Sequence, residues 1–352
     1  MARFIVPPYL LDRLAASDDP RFGRASAAAR FSLLEAADFR EARRVAPLRP
    51  RSTLVAEPGG AEPAGPARSI SDAEGSEQLP GTLVRSEGQP SNGDVAVDEA
   101  YDGLGATYAF FAEVFGRRSI DGAELPLDAT VHFGRDYDNA FWDGERMVFG
   151  DGDGEVFNRF TASLSVIGHE LAHGVIQHSG DLVYQGQSGA LNESIADVFG
   201  VLVEQYALGQ SAADASWLVG QGLFTAEVQG SALRSMRAPG TAYDDDVLGK
   251  DPQPGHMDDF VATSEDNGGV HLNSGIPNRA FYLAATKLGG RAWETAGRIW
   301  YDTLTSGRVT PTMDFSAFAV ATVATAAEQY GDGSGEAAAV IEAWEGVGLV
   351  LG

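Results

Sequence analysis

Two histidines four residues apart, in the sequence HELAH at 169–173, set the strongest limit on the fold of this chain. They lie in the apolar run SLSVIGHELAHGVIQHSG, which favours a buried helix. Because residues at this spacing project from one face of a helix, His169 and His173 can share a metal ion, with Glu170 facing the same side. The alternative at this point is a structural polar cluster that contains two helix histidines.

A carboxylate further along the chain can complete this site. Glu193, in ALNESIAD, follows His173 after 19 intervening residues, and Asp197 lies four residues later on the same helical face. Two His and one Glu leave a fourth position for water, which is a ligand set typical of catalytic zinc. Asp197 is then expected to accept a hydrogen bond from a ligating histidine and fix its tautomer, unless it is a solvated helix carboxylate. The sequence therefore predicts one zinc ion per chain.

The composition excludes some sites and argues against some partners. The chain has no Cys, so any transition metal must be bound by His, Asp or Glu. The formal net charge of -25 would repel nucleic acid and anionic lipid. No apolar run approaches the roughly 18 residues of a membrane span. We therefore expect neither nucleic acid nor a membrane as a partner.

A change of composition marks a boundary near the N-terminus. Residues 1 to about 45 alternate apolar and charged positions and predict one or two amphipathic helices. A stretch dense in Pro, Gly and Ala follows at 47–67, which is typical of an exposed linker open to proteases. Residues 1–67 are therefore interpreted as a separate segment with its linker.

The remainder of the chain divides into two lobes. Residues 68–184 combine a helix from Val97 to Phe115 with β-like runs at 130–134 and 145–150, and this lobe ends with the HELAH helix. Residues 185–352 are largely helical, without an internal repeat. The sequence thus predicts an α+β protein, with a cleft between the lobes as the natural place for a site.

Four further motifs resemble the thermolysin family of zinc metallopeptidases in order and spacing. They are NAFWDGERMVFGDGDG at 139–154, GDLVYQGQSGALNESIADVFG at 180–200, ALRSM at 232–236 and EDNGGVHLNSGIPNRAFY at 265–282. With the two histidines and Glu193, the resemblance covers about residues 68–352. It implies a zinc endopeptidase with a β-rich N-terminal lobe, a helical C-terminal lobe and the active site between them.

Roles for the catalytic residues follow from the matched motifs. Glu170 would be the general base, because a carboxylate beside a zinc-bound water can take its proton and pass it to the leaving nitrogen. His271 resembles the histidine that donates to the developing oxyanion, and Asp266 would orient it. Tyr184 matches the tyrosine that shares this stabilisation. Without the resemblance, His271 would be a loop histidine of unknown role and Tyr184 an ordinary half-buried aromatic residue.

Other matched positions concern the substrate. Asn139 and the Ala140 carbonyl resemble the edge that pairs with an extended peptide. Arg234 resembles the arginine that binds a substrate carbonyl beside the primary pocket. Apolar residues fall where that pocket is lined, and plain core packing is the alternative for each: they are Phe157, Phe160, Val166, Val219, Leu223 and Leu233. Such a pocket would favour bulky hydrophobic side chains just after the cleaved bond.

The start of the chain resembles the short pro-segment of protealysin-like members of the family. The matching sequences are FIVPPYLLDRLA and, in the following lobe, RSISDAEGSEQLPGTLVRSEGQP. The resemblance implies a zymogen in which residues 1–67 cover the cleft as an intramolecular inhibitor until the linker is cut. It also implies secretion. The first 20 residues are unlike a signal peptide, so a cytoplasmic location is the alternative.

The family's usual double calcium site is expected to be missing. Its acidic positions fall here on Ser165, Ser216, Leu218 and Gln221, which leaves only Glu204 and Asp214 as carboxylates. Tight calcium binding normally needs three or more carboxylates.

Two other functions stay open on the sequence. A zinc aminopeptidase would share the two histidines and a distal Glu, but the chain lacks a GxMEN-type motif. A non-catalytic zinc-stabilised binding module would need the ligands but not Glu170, Tyr184, Asp266 and His271.

Overall fold

A computed structural model describes residues 3–45 and 65–350, with side chains for all of these except residues 37–45. We call residues 3–45 the N-terminal segment and residues 65–350 the main body. Most of the linker predicted at 47–67 lies outside the described residues. Within the described residues, none of the helices has both the length and the apolar character needed to cross a membrane.

The N-terminal half of the main body is built on a mixed sheet. Its strands are β1 (Arg3–Phe4), β2 (Arg68–Asp72), β3 (Thr82–Ser86), β4 (Leu127–Val131), β5 (Ala140–Trp142) and β6 (Met147–Phe149). The strand order is β1-β5-β6-β4-β2-β3. Strands β2 and β6 lie parallel to β4 on either side of it, and the outer pairs are antiparallel. Edge strand β1 belongs to the N-terminal segment, so the two parts of the chain share one sheet.

Helices account for most of the C-terminal half, with two small hairpins between them. The helices of the main body are α3 (Val95–Phe115), α4 (Leu164–Gln177), α5 (Gly186–Leu208), α6 (Asp266–Asn273), α7 (Gly275–Leu288), α8 (Ala296–Thr305), α9 (Phe315–Tyr330) and α10 (Gly335–Glu345). The hairpins pair β7 (Leu218–Val219) with β8 (Arg234–Ser235) and β9 (Asp244–Asp245) with β10 (Gly249–Lys250). This confirms the predicted α+β fold, with a β-rich first lobe and a helical second lobe.

Helices α4 and α5 approach each other closely because glycine lies at their contact. A Cβ atom on Gly200 would lie 2.4 Å from the Ser165 carbonyl oxygen and 2.9 Å from the His169 nitrogen. A Cβ on Gly168 would in turn lie 3.1 Å from the Gly200 Cα. Any larger residue at Gly200 would push the two helices apart. The spacing of the helices that carry the candidate metal ligands therefore depends on this small residue.

The N-terminal segment packs on the main body through a helical hairpin. Its helices are α1 (Pro8–Ala15), which begins with the helix-compatible Pro8, and α2 (Gly23–Val45), and they pack on each other. Leu10, Leu11 and Leu14 of α1 are buried in the shared core. These contacts agree with the amphipathic helices predicted for this region.

Two predicted elements of the first lobe need their limits corrected. The helix predicted from Val97 begins at Val95, since the Asp94 side chain accepts hydrogen bonds from Ala96 N–H and Val97 N–H and caps it. The strand predicted at 130–134 ends at Val131, because His132 adopts a left-handed φ of 53° that breaks the extended backbone.

Candidate metal centre and catalytic cleft

Helices α4 and α5 bring the three predicted ligands together. His169 Nε2 lies 3.5 Å from Glu193 Oε2, and His173 Nε2 lies 3.4 Å from Glu193 Oε1. All three side chains are fully buried. Among the described residues they form the cluster of His and carboxylate groups close enough together to hold a metal ion.

The polar contacts of this cluster fit a cation. Buried polar atoms normally have partners, yet His169 Nε2, His173 Nε2 and Glu193 Oε2 have no hydrogen bond. The other ring nitrogens lie against oxygen atoms. His173 Nδ1 donates to Asn192 Oδ1 over 2.9 Å, and His169 Nδ1 lies 2.8 Å from Asp197 Oδ1 without the angle of a hydrogen bond. These contacts favour the tautomers in which both Nε2 lone pairs face the carboxylate, as zinc binding requires.

The electrostatics of the cluster keep His173 and Glu193 in the forms that bind metal. Burial lowers the pKa of His173 to about 3, so its imidazole is neutral. Burial acts to raise the pKa of Glu193, but the His271 and His173 rings outweigh it and hold that pKa well below its ordinary value. Neutral imidazoles and an ionised carboxylate are the set expected for zinc.

Glu170 lies on the same helix as the two histidines but is oriented by the sheet. Its Oε2 accepts a hydrogen bond from Trp142 N–H over 2.9 Å, and its buried Oε1 has no partner. Burial, together with the charge of Glu193, raises the pKa of Glu170 well above its ordinary value. One oxygen is thus fixed, and the other is available to accept a proton.

A turn with left-handed backbone conformation precedes His271 and positions this residue across the cleft from the ligand cluster. Residues 266–269 all have positive φ, from 50° at Asp266 to 83° at Gly268, which explains the two glycines in DNGG. The turn directs the Asp266 carboxylate back onto His271, where it accepts from the backbone N–H at 2.8 Å and from Nδ1 at 2.6 Å. Burial lowers the pKa of His271, but Asp266 and Glu193 outweigh it and raise that pKa to about 9.

Tyr184 links this side to the ligand cluster. Its hydroxyl donates to Glu193 Oε1 and lies 3.2 Å from His271 Nε2. The predicted catalytic residues are therefore all brought together around one buried point: they are Glu170, Tyr184, Asp266 and His271.

Arg234 and Asp197 form a buried ion pair behind the cluster. Arg234 Nε and Nη2 donate to the two Asp197 oxygens over 2.9 and 2.8 Å, and Asn278 Nδ2 donates to Asp197 Oδ2. The remaining Arg234 Nη1 is free to donate elsewhere, and it donates to the Ile5 carbonyl at 2.9 Å. Asp197 thus contacts a ligand histidine and, through Arg234, the cleft.

The N-terminal segment lies extended along the cleft. Strand β1 pairs antiparallel with β5, and Ile5 N–H donates to the Ala140 carbonyl over 3.1 Å. Asn139 accepts from Val6 N–H at 3.0 Å and donates to the Val6 carbonyl at 3.4 Å. The three positions predicted to bind substrate backbone, Asn139, Ala140 and Arg234, therefore contact residues 5 and 6 of this same chain.

The six residues predicted to line a pocket are all buried, at 0–2% exposure. Two of them meet around Gly220, where a Cβ would lie 3.0–3.1 Å from Leu233 and Leu223. Val219 pairs with Arg234, and Leu233 N–H donates to the Val219 carbonyl. The pocket residues thus lie next to Arg234, which donates to the Ile5 carbonyl.

Several residues that contribute to the cleft were not predicted from the sequence. Trp142 orients Glu170 through a backbone N–H, which carries no sequence signal. Gln253 donates to the His271 carbonyl over 2.6 Å, and the Arg3 guanidinium donates to the His173 carbonyl over 2.7 Å. Asn192, next to Glu193, could have been found because it adjoins a ligand on the same helix.

Several residues at the family's calcium positions make hydrogen bonds within the chain. Ser165 Oγ accepts from Gly220 N–H over 3.1 Å and lies 3.1 Å from Ser163 Oγ. Burial raises the pKa of Glu204, and hydrogen bonds from Ser165 oppose this shift. Asp214 accepts from Ser211 Oγ at 2.6 Å.

The three histidines without a predicted role differ in their surroundings. His132 lies between Asp94 and Asp151, at 3.2 and 2.9 Å. The Asp151 carboxylate outweighs burial and raises the pKa of His132 to about 9. His256 accepts a hydrogen bond from Asp258 N–H and caps a short turn, as a capping histidine is expected to do. His178 has interactions of its own at the end of α4.

Comparison with known proteins agrees with this geometry. Residues 67–177 match the model of the thermolysin metallopeptidase catalytic domain, and residues 180–349 match that of its alpha-helical domain. An extracellular metalloprotease of Pectobacterium carotovorum subsp. carotovorum is 52% identical over 348 residues, covering 98% of this chain and 96% of that protein. Thermolysin of Alicyclobacillus acidocaldarius subsp. acidocaldarius is 40% identical over 263 residues, covering 73% and 46%.

A solved structure extends the similarity to the N-terminal segment. The precursor of protealysin, a metalloproteinase from Serratia proteamaculans, aligns with a TM-score of 0.88 at 50% identity, covering 99% of this chain and all of that one. This alignment spans both lobes and the N-terminal segment. The chain therefore belongs to the thermolysin family of metallopeptidases and has the architecture of a protealysin-like precursor.

Proposed function

We propose that the main body is a zinc endopeptidase that cuts before bulky hydrophobic residues, and that the N-terminal segment keeps the full-length chain from cutting other peptides. The observation that carries this proposal is a peptide already lying in the cleft. Residues 4–6 make backbone contacts with Ala140, Asn139, Arg234 and His271, as an extended substrate would.

His169, His173 and Glu193 would hold the zinc ion. When bound, zinc supplies Lewis acidity and lowers the pKa of a coordinated water to about 7. Glu170 Oε1 would accept the proton of the attacking water and deliver it to the leaving nitrogen. This role is supported by Glu170 Oε2, which the Trp142 N–H holds in place, and by the pKa of Glu170, which burial raises.

His271 and Tyr184 would stabilise the carbonyl oxygen as negative charge develops on it. His271 Nε2 already lies 2.9 Å from the carbonyl oxygen of Phe4. Asp266 would hold His271 protonated and oriented, which agrees with the pKa of about 9 for that ring. Preorganised donors of this kind supply a large part of the rate enhancement in acyl transfer.

The preference for a bulky hydrophobic residue rests on the Ile5 side chain. Ile5 is fully buried and belongs to the same apolar core as Phe157, Phe160 and Val166. Its carbonyl is held by Arg234, next to Leu233. A substrate residue in this position would gain about 1.5–3 kcal/mol from burying an aliphatic side chain.

The cut that removes the N-terminal segment is proposed to fall before Ala67. The Ala67 carbonyl accepts a hydrogen bond from Leu127 N–H at 2.8 Å, and β2 starts at Arg68. Cleavage within the Pro- and Gly-rich stretch would leave these sheet contacts intact. We also propose an extracellular role, because the Pectobacterium relative is named an extracellular metalloprotease.

Hydrolysis of blocked internal peptides tests the proposal. The chain trimmed in its linker and supplied with zinc should cut such peptides before Leu, Ile or Phe, and a chelator should stop it. The untrimmed chain should be much less active. A preference for free-amine substrates would support the aminopeptidase alternative instead, and zinc binding without hydrolysis would support the binding module.

A further inference from the structure

We infer that the full-length chain hydrolyses its own Phe4–Ile5 peptide bond and stays inhibited after the cut, an inference that rests on the proposed endopeptidase function. The bond lies at the point where the contacts of the catalytic groups and those of the substrate-binding groups meet. A cut at this bond differs from the activating cut in the linker, because it leaves the helices of the N-terminal segment attached.

The carbonyl side of the bond faces the proposed oxyanion donors. His271 Nε2 lies 2.9 Å from the Phe4 carbonyl oxygen, and the Tyr184 hydroxyl lies 3.2 Å from the same nitrogen. The Phe4 ring packs on Phe141 of β5 with ring centroids 5.2 Å apart. Phe4 is thus held on both its carbonyl and its side chain.

The amine side of the bond is held just as firmly. Ile5 donates its N–H to Ala140 and accepts from Arg234 at its carbonyl. Both polar groups of Val6 contact the Asn139 side chain. The Ile5–Val6 carbonyl is bound by Arg234 rather than by the His271 donors. The contacts therefore select the Phe4–Ile5 bond over its neighbour.

Glu170 is positioned by the strand that carries this segment. Trp142, whose N–H holds the Glu170 carboxylate, is the register partner of Arg3 in the β1–β5 pair. The free Glu170 oxygen is buried next to the ligand cluster. The general base and the bound peptide are thus aligned by the same strand, β5.

A cavity large enough for a water molecule adjoins Phe4. It has a volume of about 20 Å³ and lies between the N-terminal segment and the cleft. Its lining includes Phe4, Asn139, Tyr184 and His271. The reaction needs only water as co-reactant. Water oxygen bonds to the Phe4 carbonyl carbon, the Phe4–Ile5 C–N bond breaks, and a water proton passes through Glu170 to the Ile5 nitrogen. The products are a Phe4 carboxylate and an Ile5 amine.

The two products differ in how they are held. On the side before the cut, Arg3 and Phe4 keep the β1 pairing, the Arg3 hydrogen bond, the Phe4 ring contacts and the contact of the Phe4 carbonyl group with His271, and so few contacts allow the short peptide to leave. Residues from Ile5 onward keep the Arg234 and Asn139 contacts and the buried leucines of α1. The cut chain would therefore still fill the cleft on the side after the scissile bond.

Intact mass measurement of the zinc-loaded full-length protein tests this inference. We expect wild-type chains, quenched in acid after incubation, to lose the residues before Ile5, with a new N-terminus at Ile5. The rate should not depend on protein concentration, since the reaction is intramolecular. The Glu170→Gln variant, which retains zinc and the side-chain shape, should keep its N-terminus. Hydrolysis of an added blocked peptide should stay at the level of the untrimmed chain.

A parallel sample trimmed in the linker separates this inference from the proposed function. If the trimmed sample cuts the blocked peptide but full-length chains keep the Phe4–Ile5 bond, the inference is wrong and the endopeptidase function stands. An equal loss of residues 1–4 in Glu170→Gln, or a rate that rises with concentration, also contradicts it. Full activity after loss of residues 1–4 contradicts persistent inhibition. If the trimmed sample with zinc cuts nothing, both proposals fail.

Discussion

The ligand cluster and the substrate side of the cleft are held in different ways. The side chains of His169, His173 and Glu193 are fixed by residues of the main body, among them Asp197 and Asn192. The substrate side is filled by residues 3–6 of the N-terminal segment. The difference supports the proposal that the segment inhibits the chain by occupying the cleft, because the proposed catalytic groups already contact one another with the segment in place.

Residues 1–67 and the remainder of the chain also differ in charge. Residues 1–67 contain 10 of the 25 Lys and Arg residues but only 8 of the 50 Asp and Glu residues, which leaves 15 basic and 42 acidic residues in the remainder. Basic residues of this first part can therefore pair with acidic residues of the main body, as Arg24 does with Asp136. Exposed pairs of this kind contribute at most about 1 kcal/mol each, so the buried apolar residues of the segment, among them Ile5 and the leucines of α1, provide most of the attachment.

Glu170→Gln should have the largest effect on activity. It changes the ligand-cluster side of the cleft and leaves the substrate side as it is. We expect peptide hydrolysis by the trimmed protein to fall by about 10²–10⁴-fold, since an amide cannot accept the proton. Zinc content, measured by atomic emission, should stay at one ion per chain. Loss of zinc from this variant would mean that Glu170 supports the ligand cluster itself.

Ile5→Asp should test the substrate side alone. An unpaired carboxylate in this buried position costs several kcal/mol, so the segment should leave the cleft and the activity of the untrimmed chain should rise at least about tenfold. Leu34→Asp is the matched control, because Leu34 lies in the same segment but is 66% exposed. Similar activity in both variants would show that occupation by Ile5 is not what blocks the cleft.

His132→Asn should change the free energy of unfolding with the same pH dependence in the full-length and the trimmed protein. The raised pKa of His132 means that its ion pairs stabilise the fold fully below pH 6.5 and lose that contribution as the pH rises through about 9. We expect the variant to be about 1 kcal/mol less stable at pH 6, with a smaller difference at pH 10. Urea unfolding of full-length and trimmed protein should give the same pH trend, and a trend confined to the full-length chain would contradict this.

Calcium should have the smallest effect. Ser165, Ser216, Leu218 and Gln221 offer no carboxylate at the usual double site, so millimolar calcium should stabilise the trimmed protein by less than about 0.5 kcal/mol. Thermal unfolding with and without calcium measures this. Tight stoichiometric binding in equilibrium dialysis would contradict the prediction.

Much of the fold and the site could be predicted from the sequence because the signals are local. Helix periodicity places His169 and His173 on one face, and the Asp94 cap lies next to the helix that it begins. The limits of β4 could not be predicted, since they depend on the backbone conformation of His132. Likewise, the left-handed turn at 266–269 follows from its glycines, but its contact with His271 Nδ1 does not.

The sequence by itself determined the ligand types, their spacing and the separation of the N-terminal segment from the lobes, because each depends on residues close together in the chain. Only the tertiary structure decided which peptide bond of that segment faces His271. The contact between Val6 and Asn139 spans 133 residues of sequence. Its register is set by strand pairing and by burial of Ile5 in the core, and both arise only when the whole chain has folded.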